Sequence, residues 1–278
     1  MSLSGVAKET LEIVGRGDYV APSGKTVQVR ELVDRAVKGT VLHTPADLEG
    51  LLAGRAREGT SLTSPRIEIT PETTAQAARR LVEAEREVNV VALNFASAKN
   101  PGGGFLGGAK AQEEDLARCS ALYTCQLTQR AYYDANRADR SMLYTDHIIY
   151  SPDVPFFRDE GARLLEKPFV VSIITAPAPK AGEAKRTGES AGVHAVLQQR
   201  ARKVLAVAAA HGHRCLVLGA WGCGVFRNDA RSVADAFALG LADATFAGAF
   251  DRVVFAIWER NEDRPTLRAF EERLIHGH

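Results

Sequence analysis

The spacing of apolar residues changes several times along the chain. Over residues 1–60 they recur three and four apart, as in VRELVDRAVKG and PADLEGLLAGRA, with Gly after the expected stops. That stretch is expected to be mostly helical. RIEIT (66–70) alternates as a strand does, and TPETTAQAARRLVEAE (70–85) reads as a helix with Pro71 near its first turn. VNVVALNFA (88–96) is a continuous β-branched run, as expected of a strand buried on both faces. A Gly-rich loop comes next, then a helix expected from Glu113 to Thr128.

The second half repeats this rhythm. PFVVSIITAPAP (168–179) predicts a strand with its exit loop, Ser190 to His211 a helix, and RCLVLGAWGCGVF (214–226) a strand with a second Gly-rich loop. A helix over 228–243, capped by Asn228 or Asp229, precedes a strand at DRVVFAIW (251–258) and a closing helix at PTLRAFEERLI. Residues 131–167, with the prolines and aromatics of YTDHIIYSPDVPFF, read as an irregular but ordered insertion. Alternating strands and helices predict an α/β fold with a largely parallel sheet covered on both faces.

Composition narrows the function. The 278 residues suffice for one large domain, and a formal net charge of +1 argues against bulk binding to DNA. No apolar run is long enough to span a membrane, and the N-terminus lacks the apolar core of a signal peptide, so a cytoplasmic location is expected. Cys119, Cys125, Cys215 and Cys223 form no C-x-x-C pair and read as reduced structural thiols.

Candidate chemistry lies in NPGGGFLGGAKAQEED (100–115). Two Gly-rich loops, Gly102–Gly108 and Gly219–Gly224, follow expected strands, where open α/β sheets bind ligands. Such loops can turn backbone N–H groups outward as an anion nest, and two of them would suit a diphosphate. Gly102, Gly104 and Gly107 match the dinucleotide pattern G-x-G-x-x-G, but the acid expected ~20 residues on is missing, which disfavours an NAD-dependent oxidoreductase. Gln112, Glu113 and Glu114 stand where the first loop becomes a helix. Acids there can simply answer the helix dipole. They can also meet a ribose beside the phosphates, one carboxylate binding hydroxyls while the other moves a proton. Successive helical side chains point about 100° apart, so two different jobs are expected.

GGGFLGGAKAQEE resembles the signature of the poly(ADP-ribose) glycohydrolases, and LNFASAKNPGGGFLGGAKAQEEDLAR, YSPDVPFFRD, IITAPAP and VLGAWGCGVFRND resemble its shorter, bacterial-type branch. The resemblance implies a macrodomain-like three-layer α/β/α sandwich over residues 61–278, with residues 1–60 as a helical extension. It implies hydrolysis of the ribose–ribose bond of poly(ADP-ribose), releasing ADP-ribose, with no metal or organic cofactor. By the same resemblance Glu114 is the general acid and Glu113 holds ribose hydroxyls. Gln112 orients the turn, Gly102, Gly103 and Gly104 line the diphosphate, and Asn100 lies near the distal ribose. Gly222, Gly224, Val225 and Phe226 form the second loop, Phe226 packing on the terminal ribose. ADP-ribosylated proteins are the implied partners of a monomer, without DNA or membrane. A macrodomain that reads ADP-ribose without turnover is the alternative, although a reader has no need of Gln-Glu-Glu. Trp258 is a candidate adenine contact, or else a core residue.

Overall fold

The computed structural model describes residues 2–55 and 64–277, and the expected domain boundary at 60/61 lies outside the described residues. In chain order the elements are α1 (Leu3–Arg16), β1 (Asp18–Val20), β2 (Thr26–Gln28), α2 (Arg30–Gly39), β3 (Val41–His43), α3 (Pro45–Arg55), β4 (Arg66–Thr70), α4 (Thr74–Arg79), β5 (Val90–Phe95) and α5 (Gln112–Cys119). They continue with α6 (Leu122–Leu127), α7 (Arg130–Ala138), β6 (Ile148–Arg158), β7 (Leu164–Ala176), α8 (Ala181–Thr187), α9 (Ser190–Ala210), β8 (Cys215–Leu218), α10 (Ala230–Ala242), β9 (Arg252–Ala256) and α11 (Pro265–Leu274).

Seven strands form one sheet in the order β3-β6-β7-β5-β8-β9-β4. From β7 to β4 the neighbours are parallel, while β6 and β3 are antiparallel additions at one edge. Side chains alternate across β5. Ala92 joins a core with Leu81, Leu116 and Leu122, whereas Val91 and Leu93 join one with Leu197, Leu205 and Phe237. Helices thus cover both faces, the three-layer arrangement expected for continuous apolar strands. No described helix is long and apolar enough to cross a membrane.

Four elements depart from expectation. The N-terminal stretch includes three short strands, of which β3 pairs with β6. The helix expected from Thr70 begins only at Thr74, because Thr73 caps it and forms a capping box with Gln76, which leaves Pro71 just ahead of its first turn. The expected helix over 113–128 breaks at Ser120, whose extended backbone bridges to Phe156, leaving α5 and α6. Residues 131–167 are not irregular. They hold α7, β6 and the start of β7, and Pro155 sits within β6 opposite Val170, with register shifts on both sides. Prolines mark an edge or a bulged strand as readily as a loop, which is why this segment read as irregular.

Candidate active site

Because β5, β7, β8 and β9 run parallel, the loops leaving Phe95, Ala176, Leu218 and Ala256 emerge on one edge of the sheet. Both Gly-rich loops are among them. A cleft of about 640 Å³ opens on this side, lined by Thr74, Phe95, Gln112, Cys223, Gly224 and Trp258 among others, but not by Glu113, Glu114 or the glycines of the first loop.

Gln112 fastens the start of α5 to β5. Its Oε1 accepts from Phe95 N (2.8 Å), and its Nε2 donates to Leu93 O (2.7 Å) and Thr74 Oγ1 (3.0 Å). The next two residues then diverge. Glu113 turns inward and is 3% exposed. Its carboxylate accepts from Ser97 N (2.6 Å), Gln126 Nε2 (2.8 Å) and Asn94 Nδ2 (3.1 Å). Glu114 is half-buried and accepts from Gly104 N at 2.9 Å.

The first Gly loop therefore departs from the expected phosphate nest. Gly102 N donates to Gln126 Oε1 (2.8 Å), Gly103 N to Asn100 O (3.0 Å) and Gly104 N to Glu114 Oε1, so these N–H groups already have partners. What the glycines permit is close approach. Gly103 has φ +58°, and a Cβ there would overlap Glu114 Oε1 and lie 3.2 Å from Glu113 Oε2. The loop is bare because two carboxylates occupy the space that a side chain would fill.

The second loop has the opposite character. Among the described residues the N–H groups of Gly222, Gly224, Val225 and Phe226 have no hydrogen-bond partner. The loop is nevertheless pinned. Buried Trp221 donates from Nε1 to Ala176 O (3.1 Å), and Asn228 Nδ2 donates to Pro179 O (2.9 Å). Gly222 has φ +74°, and a Cβ there would meet Asn228 Nδ2 and Ala178. Asp229, not Asn228, caps α10, accepting from Ser232 N at 2.9 Å. Free N–H groups on a fixed turn are what an anion requires. Val225 is 83% exposed at the tip. Phe226 lies 6.2 Å from the Tyr144 ring, with Lys180 Nζ 5.4 Å from its own ring. Asn100 is exposed at the head of the first loop. Trp258 is not a core residue: it is 56% exposed on the cleft wall. Among the described residues no group of three or more His, Cys, Asp or Glu could hold a metal.

Asn94, Ser97 and Gln126, which surround Glu113, were not singled out in the sequence. Asn94 did leave a signal, a polar residue within the apolar run VVALNF. Gln126 left none, because its approach to Glu113 depends on the break between α5 and α6.

Burial pushes the Glu113 carboxyl up to about 7, against the pull of its three N–H donors and with the help of the like charge on Glu114. The ordinary Glu value is about 4.3 to 4.5. The native state therefore holds this proton more tightly than the unfolded chain does. Its contribution to stability is fully present below about 4.5, is lost as pH rises through about 7, and stays lost above that. The difference corresponds to about 3 kcal/mol at 1.36 kcal/mol per unit. In denaturant titrations the Glu113→Gln variant is expected to lack this downward slope between pH 5 and 8. A variant that keeps the wild-type slope would place its origin elsewhere.

The sequence family agrees with this geometry. The description "microbial-type PARG, catalytic domain" matches residues 7–159. A crystal structure of poly(ADP-ribose) glycohydrolase from Thermomonospora curvata, bound to the inhibitor ADP-HPD, is 48% identical, with 98% of each chain covered and a TM-score of 0.90. The enzyme from Deinococcus radiodurans, in complex with ADP-ribose, is 47% identical over 90% of this chain and 99% of its own, with a TM-score of 0.81. No curated protein sequence matches. A chain matched over more than half its length by that family, and nearly end to end by solved enzymes of the same kind, belongs to the microbial-type poly(ADP-ribose) glycohydrolases.

Proposed function

We propose that this protein hydrolyses the ribose–ribose O-glycosidic bond of poly(ADP-ribose) and releases ADP-ribose, with Glu114 moving the proton. The observation that carries this reading is the pair of adjacent carboxylates with different surroundings, Glu113 buried in a shell of N–H donors and Glu114 half-buried beside a bare glycine turn. The four unpartnered N–H groups of the second loop receive the diphosphate. Phe226 packs on the terminal ribose, Asn100 meets its polar edge, and Trp258 offers a ring to the adenine. Glu113 accepts from ribose hydroxyls. Glu114 gives its proton to the 2′-oxygen as the bond from that oxygen to the anomeric carbon breaks. As a carboxylate it then takes a proton from the water whose oxygen bonds to that carbon.

Residues 1–60 act as an extension of the catalytic unit at 61–278. In support, Ala7 of α1 packs against Phe105 of the first loop and Ala117 of α5. The protein works as a monomer on polymer carried by ADP-ribosylated proteins.

Incubation of the purified protein with poly(ADP-ribose) tests the activity. Free ADP-ribose should accumulate as polymer is consumed. Tight binding of ADP-ribose without any release would instead identify a reader.

A further inference from the structure

The second loop offers free N–H groups to a diphosphate, but backbone dipoles answer the charge of two phosphates only in part. An ammonium stands beside that loop. Lys180 Nζ lies 5.4 Å from the centre of the Phe226 ring and 5.8 Å from that of the Tyr144 ring.

Hydrogen bonds on both sides fix this arrangement. Asn228 Nδ2 donates to the O of Pro179, the residue before Lys180, at 2.9 Å. Gly182 N donates to Phe226 O (3.1 Å), and Lys180 N donates to Met142 O (2.8 Å), two residues ahead of Tyr144. Tyr144 is held in turn: its backbone is left-handed, φ +60°, and its O accepts from buried Arg200 Nη2 at 3.1 Å. The segment that carries the ammonium is therefore tied both to the Phe226–Asn228 end of the loop and to the second ring.

Lys180 is half-buried, and no carboxylate answers it. Glu183, one turn on, pairs with Arg186, and Glu189 accepts from Ser141 and Thr187. Among the described residues the ammonium has only the two rings as partners. Ring faces attract a cation, but they leave its N–H donors unused. A fixed ammonium without an acidic neighbour, beside unpartnered backbone N–H groups, suits a phosphate. Arg227, the other cation of this turn, is exposed, with its stem against Gly182.

We propose that Lys180 is a substrate-binding residue: its ammonium, held against Phe226 and Tyr144, donates to the phosphate that carries the terminal ribose. Phe226 is the residue that packs on that ribose, so a cation beside its ring stands next to the phosphate joined to it.

The inference rests on the reading of the second loop as the seat of the diphosphate, and the choice of variants separates the two. ADP-ribose affinity is measured by calorimetry at low salt and at about 0.5 M NaCl, where accessible charges are screened. Lys180→Met keeps the apolar stem against the rings and removes the charge. Lys180→Gln carries the test if the Met variant does not fold. Lys185→Met, at an exposed position of α8, is the control for net charge. Val225→Pro removes one free N–H of the loop. Val225 is the second residue of the turn closed by Arg227 N to Gly224 O (3.0 Å), a place that proline favours. Lys180→Met should weaken binding about tenfold or more at low salt, the usual worth of a hydrogen bond to a charged group, and the loss should shrink at high salt. Lys180→Arg, which keeps the charge, should restore most of the affinity. Lys185→Met should stay within about twofold of wild type, as surface charges contribute little. Wild-type affinity in Lys180→Met overturns the inference, and so does a loss of equal size at both salt concentrations, because the ammonium would then only brace the rings. Weakened binding in Val225→Pro leaves the diphosphate reading standing in either case. Wild-type affinity in both Lys180→Met and Val225→Pro overturns both.

Discussion

Gly103→Ala should lower the rate of poly(ADP-ribose) cleavage by about 10² or more while the protein stays folded. One methyl group is enough. The Cβ would fall on Glu114 Oε1, 3.0 Å from Glu114 Cδ and 3.2 Å from Glu113 Oε2. The backbone cannot easily turn away, because Gly103 N is bound to Asn100 O and Gly102 N to Gln126 Oε1. The Glu114 side chain must therefore move, and it loses the Gly104 N–H that holds it. A displacement of about 1 Å at a reacting group commonly costs two orders of magnitude. The left-handed backbone at φ +58° adds about 1–2 kcal/mol of strain for alanine, which a domain of this size survives. Gly107→Ala is the matched control, since a Cβ there meets nothing within 4 Å. Steady-state rates and thermal melts on both variants decide the matter. A folded Gly103→Ala protein with wild-type turnover would mean that the loop does not hold the carboxylate proposed to move the proton.

Much of this fold was legible in the chain. The continuous apolar run VVALNF predicts a central strand, and β5 is buried on both faces in mid-sheet. The second Gly-rich loop is legible in the sequence only as a turn; that the N–H groups of Gly222, Gly224, Val225 and Phe226 lack partners among the described residues is seen only in the structure. The first loop misled, because a glycine-rich sequence cannot say what comes close to it. An anion nest and a seat for a neighbouring carboxylate call for the same residues. Only the structure shows Gly102, Gly103 and Gly104 donating inside the protein. The shell around Glu113 was the hardest part to read. Gln126 reaches it from α6 after the break at Ser120, which is set by a bridge to Phe156 on a distant strand. Local propensity carries no trace of such a pairing.

The most direct measurement concerns Glu114 itself. Glu114→Gln keeps the shape of the side chain and an oxygen that can accept from Gly104 N, yet it has no proton to give or take. The diphosphate and ribose contacts proposed above lie on other residues. Calorimetry with ADP-ribose and timed release of ADP-ribose from polymer should be made on the same preparation. The account predicts affinity within a few fold of wild type and release slower by about 10² or more, the usual worth of a positioned general acid. Intact binding together with release at the wild-type rate would contradict it, because the proton would then come from another group.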